Sequence, residues 1–233
     1  IKEAFDVSKL DTILVEEFIE GREFSIESLH YNGKSEVIQF TEKKTTEFPY
    51  NVELGHIQPA NLTEEEHDEI RNIISKIAEC MHFENCASHT ELKINNRGVF
   101  VIETSPRLGG DYITSILTPL STGINLEDQL IRISLGKPVD IGKGHKDSSS
   151  AVCFFSLPIG SIVAIDKQLK DIASWPGICD FQSKLQVGDK INKITSSLNR
   201  YGHFIVTGEN RELTEGYVRD YEEKIKSFFE ICE

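Results

Sequence analysis

The chain has 233 residues, 39% hydrophobic and 27% charged, which is ordinary for a globular protein and enough for one large domain or two smaller ones. Its 38 acidic and 25 basic side chains give a net charge of −13, which argues against a general nucleic-acid or anionic-membrane surface. No apolar run approaches the ~20 residues of a membrane span and no signal peptide opens the sequence, so the expectation is a cytoplasmic protein.

Five cysteines without C-x-x-C spacing suggest neither a zinc knuckle nor a disulfide framework, and reduced, mostly buried thiols are the default. The first residue is Ile1 rather than methionine, and we expect a piece of a longer protein.

In chain order, Lys2 to Leu10 is a helix end or linker, and Thr12 to Phe18 (TILVEEF) reads as a strand. Glu23 to Tyr31 alternates, with Phe24, Ile26 and Leu29 inward, and Asn32-Gly33 turns the chain into a third strand, Glu36 to Thr41. Thr41 to Asn61, with two prolines and little periodicity, reads as a loop lining a cleft, in which Lys43 and Lys44 are a solvated pair. Thr63 and Glu66 form a capping box, and Ile70, Ile73, Ile74, Ile77, Ala78 and Met81 make one apolar helical stripe.

His89 to Asp111, HTELKINNRGVFVIETSPRLGGD, carries the chemistry. Ser88 to Asn95 and Val99 to Thr104 alternate around a turn. A two-residue loop would pair Ile94 with Val99 and set Glu91 against Ile102. A three-residue loop at Asn96, Arg97 and Gly98 pairs Leu92 with Ile102 and Ile94 with Phe100, placing all four apolar residues on one face, and we take that register. Glu91 then stands opposite Glu103 with β-carbons roughly 4.5–5.5 Å apart. Facing carboxylates persist if they reach free solvent, if one is protonated, or if a cation lies between them. A solvated polar face is the common fate of such residues. Here, however, the second glutamate runs into Ser105-Pro106-Arg107-Leu108-Gly109-Gly110-Asp111, a loop able to bring backbone N–H groups and a guanidinium to an anion. We therefore expect a divalent cation, Mg2+ in preference to Mn2+, with phosphate oxygens completing its shell.

Asn125 caps a helix over Leu126 to Leu135, and 138–150 is a connector at which we place a boundary. Beyond it, Ala151 to Leu157, Gly160 to Ile165, Lys190 to Thr195 and Gly202 to Thr207 read as strands and Thr214 to Ile231 as a closing helix. Trp175-Pro176-Gly177 is a packed turn, and no catalytic spacing stands out in this segment.

VEEFIEGREFS (Val15 to Ser25), the Gly55-His56 to Pro59-Ala60 stretch, HTELK and ETSPRLGGD together resemble the ATP-grasp superfamily, in its branch of carboxylate–amine ligases that includes L-amino-acid ligases and carnosine-synthase-like enzymes. The resemblance is strong from about Thr12 to Asp140 and weaker beyond, where RYGHFIVTGENRE is its best piece. It implies an α+β fold: an antiparallel sheet with packed helices that binds nucleotide and Mg2+ over residues 1–140, then a smaller α+β domain over 150–233.

It also implies ATP-dependent joining of a carboxylate to an amine, both small molecules such as amino acids, through an acyl phosphate, with neither nucleic acid nor membrane as partner and a homodimer as an allowed assembly. Glu16, Glu17, Phe18 and Ile19 would meet the adenine and Glu23 the ribose. Glu91 and Glu103 would hold the metal, with Ser105 where the family often has a metal-binding asparagine. Arg107 would steady the transferring phosphoryl group, and Gly109, Gly110 and Asp111 would border the substrate pocket. His56 and His89 are weighed evenly between pocket-lining and structural roles. The family's N-terminal domain and lysine-bearing phosphate cover have no match here, so the chain alone is expected to be inactive or nearly so. A purine-pathway ligase or bicarbonate-using carboxylase, and a non-catalytic nucleotide-binding module, are the alternatives.

Overall fold

The computed structural model describes residues 1–10, 12–142 and 148–232. After a short helix α1 (Lys2–Val7), the core begins with β1 (Arg22–Tyr31), β2 (Lys34–Thr45) and β3 (Glu53–Gln58). Helix α2 (Glu64–Met81) precedes the hairpin β4 (Cys86–Asn95) and β5 (Gly98–Ser105). A π-helical turn at Ile113–Leu117 runs into α3 (Thr118–Thr122), and α4 (Leu126–Ser134) follows. Then come β6 (Ser149–Phe154), β7 (Gly160–Ile165), β8 (Ile178–Ser183), β9 (Lys190–Ile191), β10 (Gly202–Gly208), α5 (Arg211–Ser227) and β11 (Phe229–Cys232).

Eight strands form one antiparallel sheet in the order β5-β4-β1-β2-β3-β6-β10-β8, and β11-β7-β9 form a second, small sheet. The large sheet runs continuously across the connector, because β3 pairs with β6. On one face, α2 covers Phe24, Ile26, Phe40, Leu92 and Ile94, while α5 covers Ala151, Cys153, Phe204 and Val206. The other face is covered in part by the segment after β5, where Leu117 packs on Val152, Phe154 and Ile205.

The α+β class and the strand periodicity of β1 agree with the sequence: Phe24, Ile26 and Leu29 are fully buried. The capping box at Thr63 and Glu66 forms, and Asn125 caps α4. Trp175 packs against Tyr221, their ring centroids 4.9 Å apart.

Several expectations are corrected. Thr12 to Phe18 forms no strand, and Leu14, Val15 and Phe18 are exposed, because no described strand lies beside it to take its backbone hydrogen bonds. Thr41 to Asn61 is not one loop: β2 continues to Thr45, and β3 occupies Glu53–Gln58. Gly55 permits this pairing, since a β-carbon there would stand 2.8 Å from the Val152 carbonyl oxygen of β6.

The hairpin uses a two-residue loop, Ile94 opposite Val99, and a bulge at Ile102 then restores Glu91 opposite Glu103. The short loop lets Val99 join the core beside Ile94, and the bulge leaves Ile102 exposed. Met81 is exposed at the end of its stripe. The closing helix starts at Arg211 and ends at Ser227, where the chain turns into β11. β8 was not expected, and Lys190 to Thr195 shrinks to the two-residue β9. Three of the five thiols, Cys80, Cys179 and Cys232, are exposed rather than buried. The middle of the connector, 143–147, lies outside the described residues.

Candidate functional site

Strand alternation sends Glu23, Ser25 and Glu27 of β1 to the face opposite Phe24 and Ile26. Their cross-strand partners on β4 are Lys93, Glu91 and His89, and β5 adds Glu103 opposite Glu91 and Ser105 opposite His89. Continuing β2 past Thr41 brings Lys43 to the same face, opposite His56 of β3. One sheet surface therefore gathers Glu23, Lys43, His56, His89, Glu91, Glu103 and Ser105.

The cation beside the carboxylates is a protein side chain. Lys43 Nζ stands 2.8 Å from Glu23 Oε1, 2.8 Å from Glu91 Oε2 and 3.5 Å from Glu53 Oε1, with its side chain 2% exposed. Burial alone would lower its pKa, but the negative charges of Glu91 and Glu23 outweigh burial and hold the ammonium charged above its usual range. The solvated-pair reading thus fails for Lys43; Lys44 alone is exposed and pairs with Glu222 at 2.9 Å.

His89 Nδ1 lies 2.5 Å from Glu27 Oε1, and Nε2 lies 3.3 Å from Glu91 Oε1. Burial works against the imidazolium, yet the contacts with Glu27 and Glu91 lift its pKa to about 9. For Glu91, burial raises the pKa and His89 and Lys43 pull it down to about 2, so it is a carboxylate at neutral pH. The Gly109 N–H donates to Glu27 Oε2 at 3.1 Å. A β-carbon on Gly109 would meet Glu27 and His89 atoms at 2.7–2.9 Å, so the loop approaches this closely because residue 109 has no side chain.

Glu103 is more than half exposed, its contact with Arg107 is 3.9 Å long, and Arg107 Nη1 donates to the carbonyl of Leu108. Asp111 is clamped by Arg200, whose Nη1 and Nη2 each donate to a different carboxylate oxygen at 2.7 Å. Burial raises the Asp111 pKa, and Arg200, with His56 beside it, pulls it far below the usual carboxylate range. His56 is buried, with Nε2 3.5 Å from Asp111 Oδ2. Gly110 borders open space.

Glu16, Glu17, Phe18 and Ile19 line a cavity of about 260 Å3 together with Glu23, Asn51, Lys93, Val101 and Ile102. Lys93 Nζ lies 4.9 Å from the Phe18 ring centroid and 3.4 Å from Glu23 Oε2. Glu23, His56, His89, Glu91, Glu103 and Ser105 thus share one sheet face, with Gly109 packed on Glu27 and Asp111 beside His56. Among the described residues, no group of three or more His, Cys, Asp or Glu side chains is placed to hold a metal by itself.

Sequence reasoning missed Lys43, Glu27 and Arg200. Lys43 and Glu27 were within reach of strand parity: Glu27 follows Glu23 and Ser25, and Lys43 follows Thr41 once β2 is carried on. Arg200 had no local signal, because its partner lies 89 residues away.

Two family models match the chain: ATP-grasp domain over residues 1–115, and L-amino acid ligase C-terminal domain 2 over residues 153–229. The chain is 22% identical over 213 residues to uncharacterized protein y4rH of Sinorhizobium fredii, covering 91% of this chain and 43% of that protein. Over 95 residues it is 34% identical to the alanine–anticapsin ligase of Bacillus amyloliquefaciens, covering 40% of this chain and 20% of that one. Among solved structures, L-amino acid ligase from Bacillus licheniformis superposes with a TM-score of 0.75 at 22% identity, over 92% of this chain and 52% of that one. Phosphoribosylglycinamide synthetase from Anaerococcus prevotii gives 0.73 at 19% identity, over 99% and 58%. The chain therefore spans less than half the length of these curated relatives.

Proposed function

Since the chain belongs to the ATP-grasp superfamily, with matches in its L-amino acid ligase branch, we propose that it supplies the nucleotide, metal and substrate face of an ATP-dependent carboxylate–amine ligase. The observation that carries this reading is the order of groups along one sheet face. The Glu16–Ile19 cavity with Glu23 comes first, then Lys43 and the Glu91–Glu103 pair, then Arg107 and Asp111.

In this reading the cavity holds adenine along the Glu16–Ile19 backbone, and Glu23 takes the ribose hydroxyls. Glu91 and Glu103 suit Mg2+ by their chemistry, two facing hard oxygen donors of which one is ionised and the other open to solvent. Glu91 and Glu103 would hold the metal, with Ser105 as a weaker third donor, and the metal would supply positive charge to offset that of the phosphates. Lys43 keeps Glu91 anionic and oriented. Arg107, exposed and loosely paired, is free to turn onto the phosphoryl group and steady the charge that builds on it. Two substrates held against this face react by positioning: a carboxylate oxygen takes the γ-phosphoryl group of ATP with release of ADP, and the amine then displaces phosphate from the acyl phosphate, losing a proton as the amide forms.

Residues 1–140 form the nucleotide and metal part of this enzyme, and residues 150–233 complete the sheet that carries it. Turnover belongs to the protein in its full length, and residues 1–233 alone are expected to release phosphate at background rate. The test is phosphate release from ATP and Mg2+ by the full-length protein across single amino acids and pairs. A rate that depends on two particular amino acids supports the ligase; silence across the panel, with ATP binding intact, sinks it.

A further inference from the structure

Asp111 and Tyr112 are consecutive non-glycine residues in the left-handed region, with φ of 48° and 67°. Each is strained, and a pair in sequence persists only where surrounding structure holds it. Two side chains from the far end of the chain do so. Arg200 grips both oxygens of Asp111 at 2.7 Å; its own position is fixed by Nε donating to the Ser197 carbonyl at 3.0 Å and by its guanidinium carbon 3.7 Å from the Phe154 ring centroid. The His203 ring lies 4.6 Å from that of Tyr112 and is anchored by Asp180 at 2.8 Å. Beside this clamp His56 is buried, with Nε2 in a long 3.5 Å contact with Asp111 Oδ2 and Nδ1 without a hydrogen-bond partner among the described residues. A buried imidazole left this way is a group that a bound molecule would satisfy.

We propose that Arg200 and His203 are positioning residues for the non-nucleotide substrates: they hold the Gly109–Tyr112 turn, and with it Asp111, beside the buried imidazole of His56. The segment after residue 149 is thereby part of the substrate site and not only its support. A bidentate guanidinium fixes the carboxylate in direction as well as charge, and lysine cannot reproduce that. ATP, held at the Glu16–Ile19 end of the sheet, does not depend on this clamp. The proposal rests on the ligase reading of the site.

The test compares wild type, R200K and R200Q in the full-length protein, by the KM for ATP, the KM for each amino-acid substrate, and hydrogen exchange of the 109–114 amides. R200Q is expected to raise exchange there at least tenfold and the KM for an amino-acid substrate at least tenfold, with the KM for ATP within twofold. R200K, which keeps charge and bulk, is expected to fall between the two. Unchanged exchange overturns the clamp, and raised exchange with unchanged amino-acid KM overturns its role in the substrate site. A wild-type protein without turnover would sink the ligase reading, and exchange in R200Q and R200K would still decide whether the clamp exists.

Discussion

The ammonium of Lys43 stands 2.8 Å from Glu91 Oε2, on the face where Glu91 meets Glu103. Removing the cation leaves Glu23, Glu53 and Glu91 crowded without their shared partner, which is far more costly than the net worth of the ion pair. K43M should lower unfolding free energy by roughly 3 kcal/mol, the lower end of what breaking a buried pair costs because Glu91 keeps some solvent access. It should also move the Glu91 pKa upward from about 2. Urea unfolding and a carboxylate NMR titration check both; an unmoved Glu91 would show that His89 alone sets its charge.

The same network fixes how stability depends on pH. His89 has a folded pKa raised to about 9 from its ordinary 6.5, so its contribution is complete below 6.5 and is lost as pH rises through about 9. Glu91 has a folded pKa lowered to about 2 from 4.5, so its contribution is complete above 4.5 and is lost as pH falls through about 2. Urea midpoints should therefore decline on both sides of pH 4.5–6.5. H89Q should abolish most of the decline between 6.5 and 9 while retaining part of the acid limb. Equal alkaline losses in H89Q and wild type would assign that limb to other groups.

What could be read from the sequence followed the range of the interactions involved. Phe24 and Ile26 against Ser25 and Glu27, and Thr63 with Glu66, are set by neighbours two or three residues away, and such patterns are visible in a single chain. The Glu91–Glu103 pairing came out right although the loop length did not, because the bulge at Ile102 cancels the one-residue slip of the shorter loop. β3 was hidden: it is six residues long and lies between Pro49 and Pro59, and its partners are β2 and a strand more than 90 residues later. Lys43 was misjudged because β2 was ended at Thr41, and beyond a strand end side-chain parity has no meaning. Thr12 to Phe18 failed in the opposite sense, having the composition of a strand but no described partner to pair with.

Glu103 separates the chemical role of the carboxylate pair from its structural one. Its side chain is 57% exposed and its contact with Arg107 is 3.9 Å, so an exposed pair of this kind is worth at most about 1 kcal/mol. E103Q should leave the melting temperature nearly unchanged and, in the full-length protein, reduce Mg2+-dependent phosphate release by two or more orders of magnitude, as expected when a group stabilising transition-state charge is removed. Wild-type turnover in E103Q would remove this residue from the metal site.

Gly109 and Gly110 are adjacent in sequence and opposite in what they tolerate. A methyl group on Gly109 would press to 2.7–2.9 Å on Glu27 and His89, both buried and held by each other, so neither can yield easily. G109A should cost roughly 1–3 kcal/mol, the range for forcing an extra methyl into a filled site. It should also loosen the Glu27–His89 contact, seen as a fall in the His89 pKa from about 9. A methyl group on Gly110 would meet nothing within 4 Å, and its φ is not left-handed, so G110A should stay within about 0.5 kcal/mol of wild type, as surface substitutions away from special features do. Equal destabilisation by the two substitutions would mean that the loop yields as a whole and that Gly109 is not held against Glu27.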